Sequence, residues 1–200
     1  GQALAWVPPA KLASYPMPPA DRPVVAALMQ PDRYLVTPVP DDDRAWLGAL
    51  AQALERGVQR VQLRAPGIDP SRWARLATEA VRVCREAGAE VLVNGDAALA
   101  ERLGVGLHLR AAQLVEPPVG AHLGATALSG GSQSRPAAPP PERGHGLLAA
   151  SCHDVDDLLR AAELGCDFVV LGPVLPTASH PGASSLGWAA FAAMREIIEP

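Results

Sequence analysis

Residues 60–64 read Arg-Val-Gln-Leu-Arg, and the parity of this short run separates two folds. Side chains alternate across a strand, so Gln62 and Arg64 share one face while Val61 and Leu63 take the other. A doubly wound parallel sheet carries helices on both sides and needs both faces apolar. A parallel barrel needs apolar residues only outward, toward its helices, and can turn polar side chains inward toward one rim. The run therefore points to a parallel (β/α)8 barrel.

The flanking sequence has the rhythm this requires. Arg33–Thr37, Val91–Asn94, Gly106–Leu109, Leu147–Ser151 and Phe168–Leu171 are further short, mostly apolar strands. Between them lie helical patterns. Asp43 can cap a helix that places Trp46, Leu47, Leu50 and Leu54 on one side. A second helix runs from about Ser71, with Trp73, Leu76, Ala77, Ala80 and Cys84 at helical spacing. Asp96 opens a short helix, Arg110–Val115 is a half-formed one, and Asp154 with Asp157 resembles a capping box. A last helix runs from about Leu186 to Ile198. Gly57, Gly88, Gly104 and Gly165 each stand two to three residues before a strand, as left-handed stops do. Six β/α units are expected, hence an incomplete barrel with two units missing from the chain.

Two segments break the rhythm. Residues 1–31 carry seven prolines and read as a tail plus linker, with one short helix over Val24–Met29. Residues 117–146, rich in Pro, Gly, Ser and Ala, read as a flexible insert. The barrel domain is then 32–200.

Composition narrows the class. Of 200 residues, 48% are apolar and 19% charged, with 21 prolines and 18 glycines, which suits a folded chain rather than a disordered one. A net charge of −4 disfavours a nucleic-acid surface. No apolar run is long enough to span a bilayer. Cys84, Cys152 and Cys166 show no CxxC spacing and suit buried thiols in the cytoplasm.

Catalytic and binding groups of parallel β/α folds sit at the carboxyl ends of strands. The polar residues gather there: Thr37, Gln62, Arg64, Asn94, Asp96, His108, Ser151, His153 and Thr177. Asn94 could serve a turn, His108 a hydrogen-bonded core position, Ser151 a helix cap and His153 an ordinary loop. An inward arginine such as Arg64 needs an anionic partner, and a phosphate or carboxylate ligand supplies one. Residue types and positions alone thus reach a small-molecule enzyme or binder with an anionic ligand.

From Tyr34 onward the chain resembles the thiamine phosphate synthase/TenI family of barrels. The resemblance rests on YLVTP (34–38), VQLR (61–64), VLVN (91–94), GLHL (106–109), ASCHD (150–154) and GPVLPTASHPGASSLGW (172–188), in order and at suitable spacing. Thiamine phosphate synthases condense a hydroxymethylpyrimidine pyrophosphate with a thiazole phosphate, with Mg²⁺ and basic groups steadying the leaving pyrophosphate. The resemblance implies that Gln62 and Arg64 hold pyrimidine and pyrophosphate and that Asn94 joins the pyrophosphate site. Ser151 and Thr177 would contact substrate, His108 would line the same site, and Gly172 would let the ligand approach the backbone.

Three positions depart from the family pattern. Gly95 follows Asn94 where a magnesium carboxylate is expected, Arg110-Ala111-Ala112-Gln113 replaces a run with a second one, and His180 replaces a lysine. No metal site is therefore expected in this chain. The TenI branch keeps the barrel without magnesium and includes thiazole tautomerases, in which a histidine moves a proton. By that likeness His153 is the catalytic acid/base.

Residues 1–28 resemble the C-terminal end of a MutT-type Nudix hydrolase, of the 8-oxo-dGTP diphosphatase type. Asp21 would stand where that class reads the purine base, and the full Nudix domain would use Mg²⁺. The expected whole is a fusion protein whose Nudix domain and last two barrel units are partners from the same polypeptide. A non-catalytic domain that senses ligand or stabilises the attached hydrolase is the alternative.

Overall fold

The structure is a computed structural model and describes residues 6–12, 14–28, 30–117, 146–177 and 185–198. An N-terminal stretch holds α1 (Pro9–Leu12), a 3-10 turn (Pro19–Asp21) and α2 (Arg22–Leu28). Then β1 (Tyr34–Val36), α3 (Asp43–Glu55), β2 (Arg60–Leu63), α4 (Pro70–Glu86), β3 (Glu90–Asn94), α5 (Ala97–Leu103) and β4 (Gly106–Leu109) alternate. After the short α6 (Ala112–Val115) come β5 (Leu148–Cys152), α7 (Val155–Glu163), β6 (Phe168–Leu171) and α8 (Gly187–Ile198). Most of the expected 117–146 insert, and His180, lie outside the described residues.

The six strands form one sheet in the order β1-β2-β3-β4-β5-β6, every neighbouring pair parallel. The sheet curls. In a flat sheet β1 and β4 would lie three strand spacings apart, about 14 Å. Here the Tyr34 hydroxyl of β1 meets a ring nitrogen of His108 on β4 at 3.0 Å. The Tyr34 ring also meets the edge of Phe168 on β6, with centroids 5.3 Å apart. Six parallel strands thus wrap into a half-barrel, and among the described residues β1 and β6 are its edges.

The parity expected from residues 60–64 holds around the wrap. Val61, Leu63, Val91, Val93, Leu107, Leu109, Leu148, Ala150 and Cys152 point outward into one core with Trp46, Leu50, Trp73, Leu76, Leu99 and Leu158 from the helices. Trp46 and Trp73 meet edge to face there. Burial on this side pushes the Cys84 thiol up to about 11 and the Cys152 thiol up to about 12. The inner face carries Tyr34, Arg60, Gln62, Asn94, His108 and Ser151 instead.

Local chemistry sets the helix ends, with small corrections. Asp42, not Asp43, caps α3: its backbone is extended and its carboxylate accepts from Ala45 N at 2.7 Å. Asp69 caps α4, with Pro70 rather than Ser71 opening the helix. Asp96 caps α5 as expected, accepting from Leu99 N. Half of the Asp154/Asp157 box forms, with Asp157 N donating to Asp154 at 2.8 Å, while the Asp157 carboxylate accepts from His153 N at 2.9 Å rather than from Asp154 N. Gly57, Gly88, Gly104 and Gly165 all take positive φ, as helix stops should.

Candidate functional site

The inner face of the half-barrel holds a continuous hydrogen-bonded chain drawn from five strands. Asn94 Nδ2 donates to Gln62 Oε1 at 3.5 Å, and Gln62 Nε2 donates to the Tyr34 hydroxyl oxygen at 3.2 Å. Tyr34 contacts His108 Nδ1 at 3.0 Å, and His108 Nε2 contacts Ser151 Oγ at 2.9 Å. The donors fix the direction. Because Gln62 gives an N–H to the phenol oxygen, the phenol proton goes to His108 Nδ1. A neutral imidazole then carries its proton on Nε2 and donates to Ser151. Among the described residues the Ser151 hydroxyl proton and the Asn94 side-chain oxygen meet no partner.

Burial keeps the chain neutral. His108 is 1% exposed, and desolvation lowers its pKa from 6.5 to about 4. The Tyr34 phenol is pushed above its ordinary value by burial, against the opposing pull of the Gln62 hydrogen bond and the Arg60 charge.

Below the chain, at the amino ends of the strands, Arg60 forms a floor. Its side chain is 6% exposed and bonds the Glu90 carboxylate through Nε and Nη2, both at 2.7 Å. Nη1 donates to Gln30 Oε1 at 2.6 Å, and the guanidinium carbon lies 4.4 Å from the Phe168 ring centroid. Phe168 in turn meets Tyr34 and His108.

At the carboxyl ends of the strands the described side chains are polar. Arg64 is half-buried, and its guanidinium pairs with no described residue; its backbone N–H and C=O are tied to Thr37 Oγ1 at the end of β1. His153 is exposed, immediately past the end of β5. Its Nδ1–H donates to the Gly172 carbonyl, which leaves Nε2 as a proton acceptor. The backbone of His153 is held by Asp157.

The structure thus brings together Gln62, Asn94, His108 and Ser151 in the chain, and pairs His153 with Gly172. Thr177 is exposed past β6 and makes no hydrogen bond with a described residue. Among the described residues, a Cβ on Gly172 would meet Val174 N at an ordinary 3.5 Å. Asp21 is exposed in the N-terminal turn and joins no part of this constellation. Sequence reasoning passed over Tyr34, Arg60 and Phe168. Tyr34 and Arg60 face each other in register, and Arg60 stands two residues before Gln62 on the same face. That period of two was the available signal.

Residues 33–138 and 120–200 match the family described as thiamine monophosphate synthase. The chain belongs to the thiamine monophosphate synthase family. A thiamine-phosphate synthase of Chromobacterium violaceum is 34% identical over 161 residues, which are 80% of this chain and 69% of that protein. One from Thioalkalivibrio sulfidiphilus is 32% identical over 168 residues, 82% of this chain and 71% of that one. In fold, the half-barrel is similar to a thiamine phosphate pyrophosphorylase from Pyrococcus furiosus. The TM-score is 0.59 at 18% identity, over 83% of this chain and 70% of that one.

Magnesium, which the synthase family implies, does not fit the residues present. The ion takes oxygen ligands, typically carboxylates with substrate phosphate. At the tips of β3 and β4 stand Asn94, Gly95, Arg110 and Gln113. The nearest carboxylate, Asp96, is engaged in capping α5. A Cβ placed on Gly95 would come within 2.6 Å of Arg110 Nε, so a guanidinium lies against that position. Among the described residues no group of three His, Cys, Asp or Glu side chains could hold a metal. No helix among them is long and apolar enough to cross a membrane.

Proposed function

We propose that the half-barrel binds the thiazole and pyrimidine phosphates of thiamine biosynthesis, in the cytoplasm, and that its chemistry is TenI-like rather than magnesium-dependent condensation. The observation that carries this is the mouth itself. A half-buried Arg64, whose guanidinium pairs with no described residue, stands beside Asn94, above a chain of hydrogen bonds that ends at Ser151. An anion in that mouth meets a guanidinium and a hydroxyl in surroundings of reduced dielectric, where such contacts are strong.

His153 supplies the proton movement. With Nδ1–H committed to the Gly172 carbonyl, Nε2 takes a proton from one ring atom of a thiazole carboxylate phosphate and returns it to another. No atom is gained or lost in that exchange, and no metal takes part. Gln62 and Asn94 hold the ring or its substituents, and Arg64 meets the phosphate. Thr177 and Gly172 complete the substrate contacts in this reading.

Calorimetric titration with thiazole phosphate, with and without Mg²⁺, tests it. Binding of equal strength in both conditions is expected. Absence of binding in both removes the reading, and magnesium-dependent condensation with a pyrimidine pyrophosphate replaces the tautomerase form by the synthase form.

A second reading has one observation in its favour. Gln30, at the end of the N-terminal stretch, is tied into the floor by Arg60. If residues 1–31 end a Nudix domain with its own Mg²⁺ and Asp21 at the purine, the half-barrel would sense thiamine-pathway phosphates or stabilise that hydrolase. Nucleotide hydrolysis by the longer fusion that ignores these phosphates rules out sensing.

A further inference from the structure

The carboxyl ends of β2, β3 and β4 carry a row of three polar side chains. Val61↔Val91, Gln62↔Leu92 and Leu63↔Val93 are register partners, and continuing that register sets Arg64 beside Asn94. Asn94 pairs with His108, and Arg110, exposed, follows directly after the end of β4 with its guanidinium against Gly95. A cation, an amide and a second cation therefore line one rim across three adjacent strands.

Arg110 is placed there by its neighbours. Gln113 Oε1 accepts from the Arg110 backbone N at 3.1 Å and from Nε at 3.3 Å, while Gln113 Nε2 donates to the Gly95 carbonyl at 3.0 Å. The Gly95 amide is bonded to the His108 carbonyl, which fixes the turn. Gly95 has φ +68, a region that favours glycine, and its bare Cα leaves room for the guanidinium. A Cβ would stand 2.6 Å from Nε and 3.1 Å from Cζ. A side chain at 95 would require the exposed Arg110 side chain to move aside. The missing carboxylate and the added guanidinium therefore lie against one another.

Resting on the anion-binding reading above, we propose that Arg110, seated over Gly95 and steered by Gln113, replaces the divalent cation. With Arg64 it forms a metal-independent clamp for a pyrophosphate or phosphate group. Arginine forks suit such groups because parallel N–H donors match two phosphate oxygens. The backbones of β2 and β4 are two strand spacings apart, about 10 Å, a span that two arginine side chains reaching inward can close on one diphosphate.

The test is titration of the 200-residue chain with inorganic pyrophosphate, followed by ³¹P NMR, in EDTA and in excess Mg²⁺. Equal affinity in the two buffers is expected, with a loss of about tenfold in Arg110→Gln and again in Arg64→Gln. Gly95→Ala, which builds a methyl into the guanidinium's space, provides an independent displacement and should weaken binding in the same direction. Binding that needs Mg²⁺ overturns the proposal. So does parental affinity in Arg110→Gln. If Arg64→Gln abolishes binding while Arg110→Gln does not, the clamp falls and the anion site survives. If the parent chain binds no pyrophosphate in either buffer, the clamp and the anion site fall together.

Discussion

Tyr34 and His108 lie 74 positions apart in the chain, yet the hydroxyl of one donates to Nδ1 of the other across 3.0 Å. That bond spans the interior of the curled sheet and sits at the centre of the polar chain. It links the amide pair Gln62 and Asn94 to Ser151.

A double-mutant cycle measures that link. Tyr34 and Ser151 contact different ring nitrogens of His108. Tyr34→Phe and Ser151→Ala should nonetheless couple by about 0.5–1 kcal/mol in urea unfolding, because the imidazole's tautomer depends on both partners. Strict additivity would mean the bonds are independent.

Stability should fall as acid reaches His108. Its folded pKa of about 4 lies below the ordinary 6.5, so the unfolded chain binds a proton that the folded chain refuses. Stability is therefore full above pH 6.5, declines between 6.5 and about 4, and flattens below. The separation amounts to about 3 kcal/mol. Denaturant unfolding at several pH values should show this slope, and His108→Phe should remove it. A slope unchanged in that variant would place the titrating group elsewhere.

The floor is sensitive to a single charge. Glu90→Gln leaves the Arg60 guanidinium, 6% exposed, without its carboxylate. The expected loss is about 1–3 kcal/mol, because a buried cation is left under-paired. Glu86→Gln, which breaks an exposed pair with Arg82, should leave the melting temperature unchanged. Equal effects from the two would show that the floor is not a buried site.

Asp157 connects a helix cap to the rim. Asp157→Ala removes the carboxylate that accepts from His153 N, as well as the first-turn charge of α7. A destabilisation of about 1 kcal/mol is expected. Turnover of a thiazole carboxylate phosphate should fall further than stability explains, since His153 loses its backbone anchor. Loss of stability with unchanged turnover would separate His153 from the chemistry.

Much of this arrangement could be read before any coordinates. Gly57, Gly88, Gly104 and Gly165 marked the helix ends because only a left-handed stop explains glycine at those spacings. The parity of Gln62 and Arg64 pointed to a barrel because a charge cannot face a helix layer. The cap at Asp42 was missed by one residue, since the run Asp41-Asp42-Asp43 offers several equivalent carboxylates, and no cap was named for the helix that Asp69 opens. Tyr34, Arg60 and Phe168 were not legible as a group. An aromatic at the start of a strand reads as core, and an arginine before an apolar run reads as a solvated edge. Their meeting depends on the curl of the sheet, a property of six strands together that no local pattern carries.

The most direct test is a crystal structure of the chain soaked with a pyrimidine pyrophosphate. The diphosphate should lie against Arg64 at the carboxyl ends of β2 and β3, with Ser151 Oγ within hydrogen-bond reach of the ligand. A ligand seated on the outer helices, or a mouth that remains free of it at saturating concentration, would contradict the inner-face site.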